Sequence, residues 1–119
     1  MAIIRSTLVF GALLLAGCSG TADVSGGAST TQQWLGRWNG PEGSYLDISG
    51  TPADYRLTIA NLDGPRRFVG RVQDGQIVFV RDGVVESIRA TDGEATGMKW
   101  LLDKHDCLTV RSGEGYCRD

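Results

Sequence analysis

The chain has 119 residues, with 12 Lys and Arg against 14 Asp and Glu and a formal charge of −2. Its basic residues are scattered rather than gathered in a stripe, which argues against nucleic-acid binding. A single His and 3 Cys supply too few suitably spaced ligands for a metal centre, and the length allows one small domain with little stability to spare.

The first element is a short apolar segment. Arg5 is its only charge, and the run Thr7-Leu8-Val9-Phe10-Gly11-Ala12-Leu13-Leu14-Leu15 follows. That run is too short to cross ~30 Å of hydrocarbon and reads as an export signal. Leu15-Ala16-Gly17-Cys18 closes it. Here the chain resembles the bacterial lipoproteins, whose lipobox is Leu-(Ala/Ser)-(Gly/Ala)-Cys. The resemblance covers residues 1–18. It implies that residues 1–17 are removed and that Cys18 carries a thioether-linked diacylglycerol and an N-acyl chain. Three acyl chains, at roughly 0.8 kcal/mol per buried CH₂, exceed what stable anchoring needs, so the membrane is an expected partner. Ser19 stands where an Asp would resemble a Gram-negative inner-membrane retention signal, which places the expected location at the outer membrane, facing the periplasm. Residues 18–33, the lipidated cysteine and a run of Ser, Gly, Thr and Gln, read as a tether. Such small polar residues bury too little apolar area to offset ordering, and a chain of that length reaches roughly 20 Å.

Residues 34–119 read as one all-β domain. Trp34 and Trp38 open it and are candidate plugs for one end of a barrel. Ser44–Ile48, Tyr55–Ile59, Phe68–Val72, Ile77–Val80 and Val84–Ala90 are short, rich in β-branched or aromatic residues, and several alternate in polarity. Asp63-Gly64, Asp74-Gly75, Asp82-Gly83 and Asp92-Gly93 punctuate them, and Asp-Gly supplies the positive φ angles of two-residue hairpin turns. The 96–102 segment reads as one or two helical turns capped by Thr96, or as a strand with Met98, Trp100 and Leu102 inward; the helical reading is preferred. Cys107–Arg111 and Tyr116-Cys117 read as a last hairpin. In an exported protein Cys107 and Cys117 are expected to form a disulfide at its open end. The sum is a small antiparallel meander or barrel of six to eight strands.

Two-residue turns at Asp74-Gly75 and Asp82-Gly83 set the register. Val72 faces Ile77, Gly70 faces Phe79, Phe68 faces Arg81, Val80 faces Val85, Phe79 faces Glu86 and Ile77 faces Ile88. One face then carries Phe68, Val72, Ile77, Phe79, Ile88 and Ala90, the expected core, with Phe79 over the space left by Gly70. The other carries Val69, Val80 and Val85 in a row, with Arg71, Val78, Ser87 and Arg89 beside them. That row is a candidate docking surface for a protein partner, or is covered by Met98–Leu102 or Trp34–Trp38. Intramolecular cover is the commoner arrangement.

Arg81 and Glu86 fall on the core face near one end, as a rim ion pair or as a polar fixture in a ligand cavity. Arg66 and Arg67 sit at a turn, solvated or holding an anion. His105, in Asp103-Lys104-His105-Asp106, has no nucleophile beside it, and no serine has an elbow motif around it, so no catalytic residue is assigned and the chain does not read as an enzyme. No residue set implies a cofactor.

The 34–119 region resembles small envelope lipoproteins with calycin-like or inhibitor-type barrels, through Gly36-Arg37-Trp38, which is similar to the Gly-Xaa-Trp that opens calycin barrels. Lipoprotein lysozyme inhibitors are similar in size, compartment and disulfide use. No family loop carries over residue by residue, and the register supplies the candidate sites: the expected role is recognition of an envelope protein through Val69, Val80 and Val85, or carriage of a small apolar or amphipathic ligand in the barrel interior beside Arg81 and Glu86.

Overall fold

The computed structural model describes residues 30–119; the export segment, Cys18 and the tether up to residue 29 lie outside them. Eight antiparallel strands, each bonded to the next in sequence, close into a barrel: β1 Gly36–Asn39, β2 Tyr45–Thr51, β3 Asp54–Asn61, β4 Gly64–Gln73, β5 Gln76–Arg81, β6 Val84–Thr91, β7 Cys107–Arg111 and β8 Glu114–Cys117. A barrel of this kind leaves no long sheet edge free for aggregation. Inside, Leu46, Tyr55, Leu57, Ile77, Ile88 and Leu108 are fully buried, each belonging to the inward alternate set of its strand. Trp38 belongs to this wall as an inward residue of β1, rather than to a plug. Trp34 does close an end, from a helical turn at residues 30–32, and its carbonyl accepts the Trp38 Nε1–H at 2.8 Å. Thr31 in that turn is buried and shares a 2.9 Å hydrogen bond with the Tyr55 hydroxyl. The folded unit therefore takes in residues 30–33.

Two of the Asp-Gly pairs are the expected turns. Asp74 and Gly75 have φ of 54° and 76°, Asp82 and Gly83 of 54° and 79°, the two positive values a type I′ turn requires. Asp63-Gly64 is not such a turn: Asn61 pairs with Gly64, so the loop is Leu62-Asp63, and Gly64 already belongs to β4. Asp92-Gly93 opens the β6–β7 connection instead. Its two 3₁₀ turns, Glu94–Thr96 and Lys99–Leu101, take the helical alternative. Thr96 is no cap there. It is buried, donates to the Gly93 carbonyl at 2.6 Å and accepts the Met98 N–H.

The register of β4, β5 and β6 follows from their turns: Val72 pairs with Ile77, Gly70 with Phe79, Val80 with Val85, Phe79 with Glu86 and Ile77 with Ile88. Two expectations change. The β4–β5 ladder stops at Gly70–Phe79, so Phe68 does not face Arg81; it packs against the Phe79 ring, centroids 5.3 Å apart. Ala90, one residue from the end of β6, is exposed rather than part of the core. The barrel closes through a thin seam, the single pair Asn39–Cys117 between β1 and β8. Arg118 reinforces it by donating to the carbonyls of Gln33 and Leu35 and lying 4.0 Å over the Trp38 ring. Cys107 and Cys117 are paired across β7 and β8 and form the disulfide, Cα atoms 4.0 Å apart.

Candidate functional site

The two ends of the fold's sequence-predicted sites separate cleanly: Arg81 and Glu86 point inward, the valines outward. Arg81 ends β5, Glu86 lies near the start of β6, Arg111 ends β7 and Glu114 opens β8. Consecutive hairpins thus bring all four to one end of the barrel. Arg81 donates to Glu86 at 2.9 Å and to Glu114 at 2.7 Å, Arg111 donates to Glu86, and the Tyr116 hydroxyl donates to Glu114 at 2.9 Å. Side-chain exposure is 13% for Arg81, 6% for Glu86 and 20% for Glu114. Two cations and two anions in mutual contact satisfy the requirement that buried charge be paired. Burial pushes the Glu114 carboxyl up, but the hydrogen bonds from Arg81 and Tyr116 outweigh it and hold the group below its ordinary range. Burial, reinforced by Glu114, raises the Tyr116 phenol. Hydrogen bonding to Glu114 raises the Arg81 guanidinium further. All three guanidinium nitrogens of Arg81 are engaged, and apolar side chains fill the interior below. Arg111, Glu114 and Tyr116 were not singled out from sequence. The alternation through Glu114-Gly115-Tyr116 would have found two of them had the last turn been read as Ser112-Gly113, which the Arg111–Glu114 pair makes it.

On the outside, Val69, Val80 and Val85 are exposed at 65%, 58% and 68%. Neither proposed cover reaches them. Trp34 and Trp38 turn inward, and the 94–101 segment packs over β7 and β8. Gly115 is its seat: a Cβ there would stand 2.5 Å from Thr96 Cγ2, and Met98 Sδ accepts the Gly115 N–H. Leu101 and Met98 cluster on the disulfide. The valines instead border an open groove whose wall also includes Gly70, Arg71 and Val78. Above Gly70, β4 and β5 part, and the gap is spanned by the Arg66–Asp82 ion pair at 2.8 Å.

The charges next to Val69 are arginines. Arg67 and Arg71 flank Val69 along β4, and Arg56 lies opposite Val69 on β3. Among the described residues Arg67, Arg71 and Arg89 have no carboxylate partner, and Arg56 reaches only Asp54, at 3.6 Å. Arginines elsewhere are engaged: Arg37 with Asp47, Arg66 with Asp82, Arg81 and Arg111 in the end network, Arg118 on two carbonyls. Arg66 and Arg67 lie within β4, not at a turn. Arg66 is taken by Asp82, which leaves Arg67 alone of the two.

His105 is an exposed side chain 3.5 Å from the Asp119 carboxylate, and that carboxylate accepts the His105 and Asp106 N–H groups. Cys107, Cys117 and Asp119 have ligand atoms within 4.8 Å of one another, but both sulfurs are spent in the disulfide and cannot act as thiolates. No family model, curated protein or solved structure matches this chain.

Proposed function

We propose that the chain is a lipid-anchored envelope lipoprotein whose barrel is a binding module for a protein partner, with Val69, Val80 and Val85 at the contact. One observation carries this reading: Val80 and Val85, paired on β5 and β6, and Val69 on β4, which borders the same groove, stand uncovered on a barrel whose interior is occupied by a buried apolar cluster. Contiguous exposed apolar surface rimmed by polar residues is a mark of interaction sites. The packed interior gives the ligand-carrier alternative no comparable support, since Arg81 is saturated by Glu86 and Glu114. No nucleophile and base are gathered in a concave site among the described residues, so we assign no catalytic role. The lipobox Leu15-Ala16-Gly17-Cys18 supports the anchor.

Two variants of the full chain test the reading. Cys18→Ser should abolish acyl labelling and detergent partitioning; retained membrane association would refute the anchor. A Val69/Val80/Val85→Thr triple variant should fold, since all three side chains are exposed, and should lose the envelope protein that co-purifies with the wild type. The same partner on both baits would move the contact elsewhere.

A further inference from the structure

The uncovered valines border Arg67 and Arg71, which have no carboxylate partner among the described residues, and Arg56, held only by Asp54 at 3.6 Å; the geometry points to an acidic protein segment as the occupant of this face. This rests on the binding-module reading. Val69 has Arg67 and Arg71 two residues away on either side of it and Arg56 directly across on β3. Same-face neighbours of this kind lie only about 7 Å apart. The chain as a whole is slightly acidic, at −2, so the cations here are a local concentration against the overall balance. The same barrel readily pairs its arginines elsewhere; Arg37 and Asp47, cross-strand neighbours on β1 and β2, hold a bidentate pair at 2.8 and 2.9 Å. A partner presenting apolar side chains to the valines and carboxylates to Arg67 and Arg71 would complete what the fold leaves open, because guanidinium forks match carboxylates geometrically. A lipid surface fits less well. Interfacial insertion uses Trp, Phe or Leu to reach below the headgroups, and this face offers only valines, with Trp100, Leu62 and Leu102 on other segments.

The test uses the full-length chain in its own envelope, with a photoreactive amino acid in place of Val80, and sequencing of whatever is cross-linked. An acidic peptide whose adduct falls about tenfold in Arg67→Gln/Arg71→Gln, and falls likewise as salt is raised in isolated envelopes, supports the inference. Both arginines are exposed and unpaired, so an unchanged melting temperature in the double variant excludes misfolding as the cause. A neutral or basic peptide, or an adduct indifferent to both arginines, overturns the acidic partner and leaves the valine contact standing. An adduct with phospholipid alone overturns it in favour of the membrane. No adduct from Val80, or from Val69 and Val85 probed in the same way, overturns the binding-module reading itself.

Discussion

Gly70 lies inside the β4–β5 ladder with no room for an added atom, and replacing it tests the register of β4 against β5. Its φ is ordinary for a strand, so backbone strain plays no part. A Cβ there would stand 2.9 Å from Ile77 Cγ2, 3.1 Å from the Val78 carbonyl oxygen and 3.2 Å from Leu57 Cδ1. The obstruction is therefore Ile77 and Leu57, rather than Phe79, which is its ladder partner. Ile77 and Leu57 are fully buried and cannot swing away, and the carbonyl is fixed by the ladder. Replacing a strand glycine by alanine ordinarily gains about 0.4–1 kcal/mol through the unfolded chain. Overpacking costs about 1–3 kcal/mol. The balance for Gly70→Ala is a loss of about 1 kcal/mol, and Gly70→Val, with two more methyls, should lose about 2–3 kcal/mol. For a domain this size the alanine variant should melt about 4–8 °C lower. Urea denaturation, with unchanged slope, gives the free energies. A neutral or stabilised Gly70→Ala would mean that the close approach of Ile77 and Val78 to Gly70 is wrong.

The disulfide joins residues 10 apart, and by the chain-entropy estimate Cys107→Ala should cost about 2–3 kcal/mol; reduction of the wild type should lower the melting temperature equally, and absence of either effect removes the bond from the stability account. Arg81→Met should cost about 3 kcal/mol because it leaves Glu86 with Arg111 alone and Glu114 with the Tyr116 hydroxyl and a distant Arg111. Adding Glu86→Gln should cost less than the sum of the two changes, and strict additivity in urea melts would contradict a coupled network. Glu114, held low, stabilises the fold above its ordinary value of 4.5, and that contribution is lost as pH falls from there through its folded value. Tyr116, held high, contributes fully below its ordinary value of 10.0, and its share is lost as pH rises above that. Melts across pH should therefore show the acid limb weakened in Glu114→Gln and the alkaline limb in Tyr116→Phe. Unaltered limbs would separate these groups from the network.

The strands β2 to β6 were legible because two signals agreed, alternation and Asp-Gly turns, and where the turns are type I′ the register followed without further information. Where one signal lapsed, so did the reading. β1 is four residues long and opens with a glycine, too short for a period of two to declare itself. The 30–32 turn is polar, and it is anchored in part by the hydroxyl contact between Thr31 and Tyr55, a pairing that no local pattern encodes. The fate of the valine row depended on where a long connection would come to rest. It rests on β7 and β8 because Gly115 leaves room for Thr96, a fit visible only once the chain is folded. The isolation of Arg67 and Arg71 was illegible for the same reason. Charges in sequence are neutralised or left bare by neighbours several strands away.

That bareness has a thermodynamic consequence. Opposite charges facing each other across strands stabilise a sheet by about 0.2–1 kcal/mol per pair, and Thr58 sits directly opposite Arg67 on β3, half-buried, with its side chain on the outer face. Thr58→Glu would supply there the cross-strand carboxylate that Asp47 supplies to Arg37. Asp47, the other cross-strand neighbour of Thr58, is already engaged by Arg37, so its repulsion of the new carboxylate offsets only part of the gain. The variant should therefore melt about 1–2 °C higher than the wild type. If the arginines around Val69 are kept free for a partner's carboxylates, the same substitution should weaken the Val80 adduct, because Arg67 is then occupied from within and the new Glu repels an acidic segment. Gain of stability with loss of binding is the signature of a surface held below its own optimum for the sake of a contact. A gain of stability with the adduct intact would mean that Arg67 stands unpaired without consequence, and the cationic character of the face would then carry no information about what docks there.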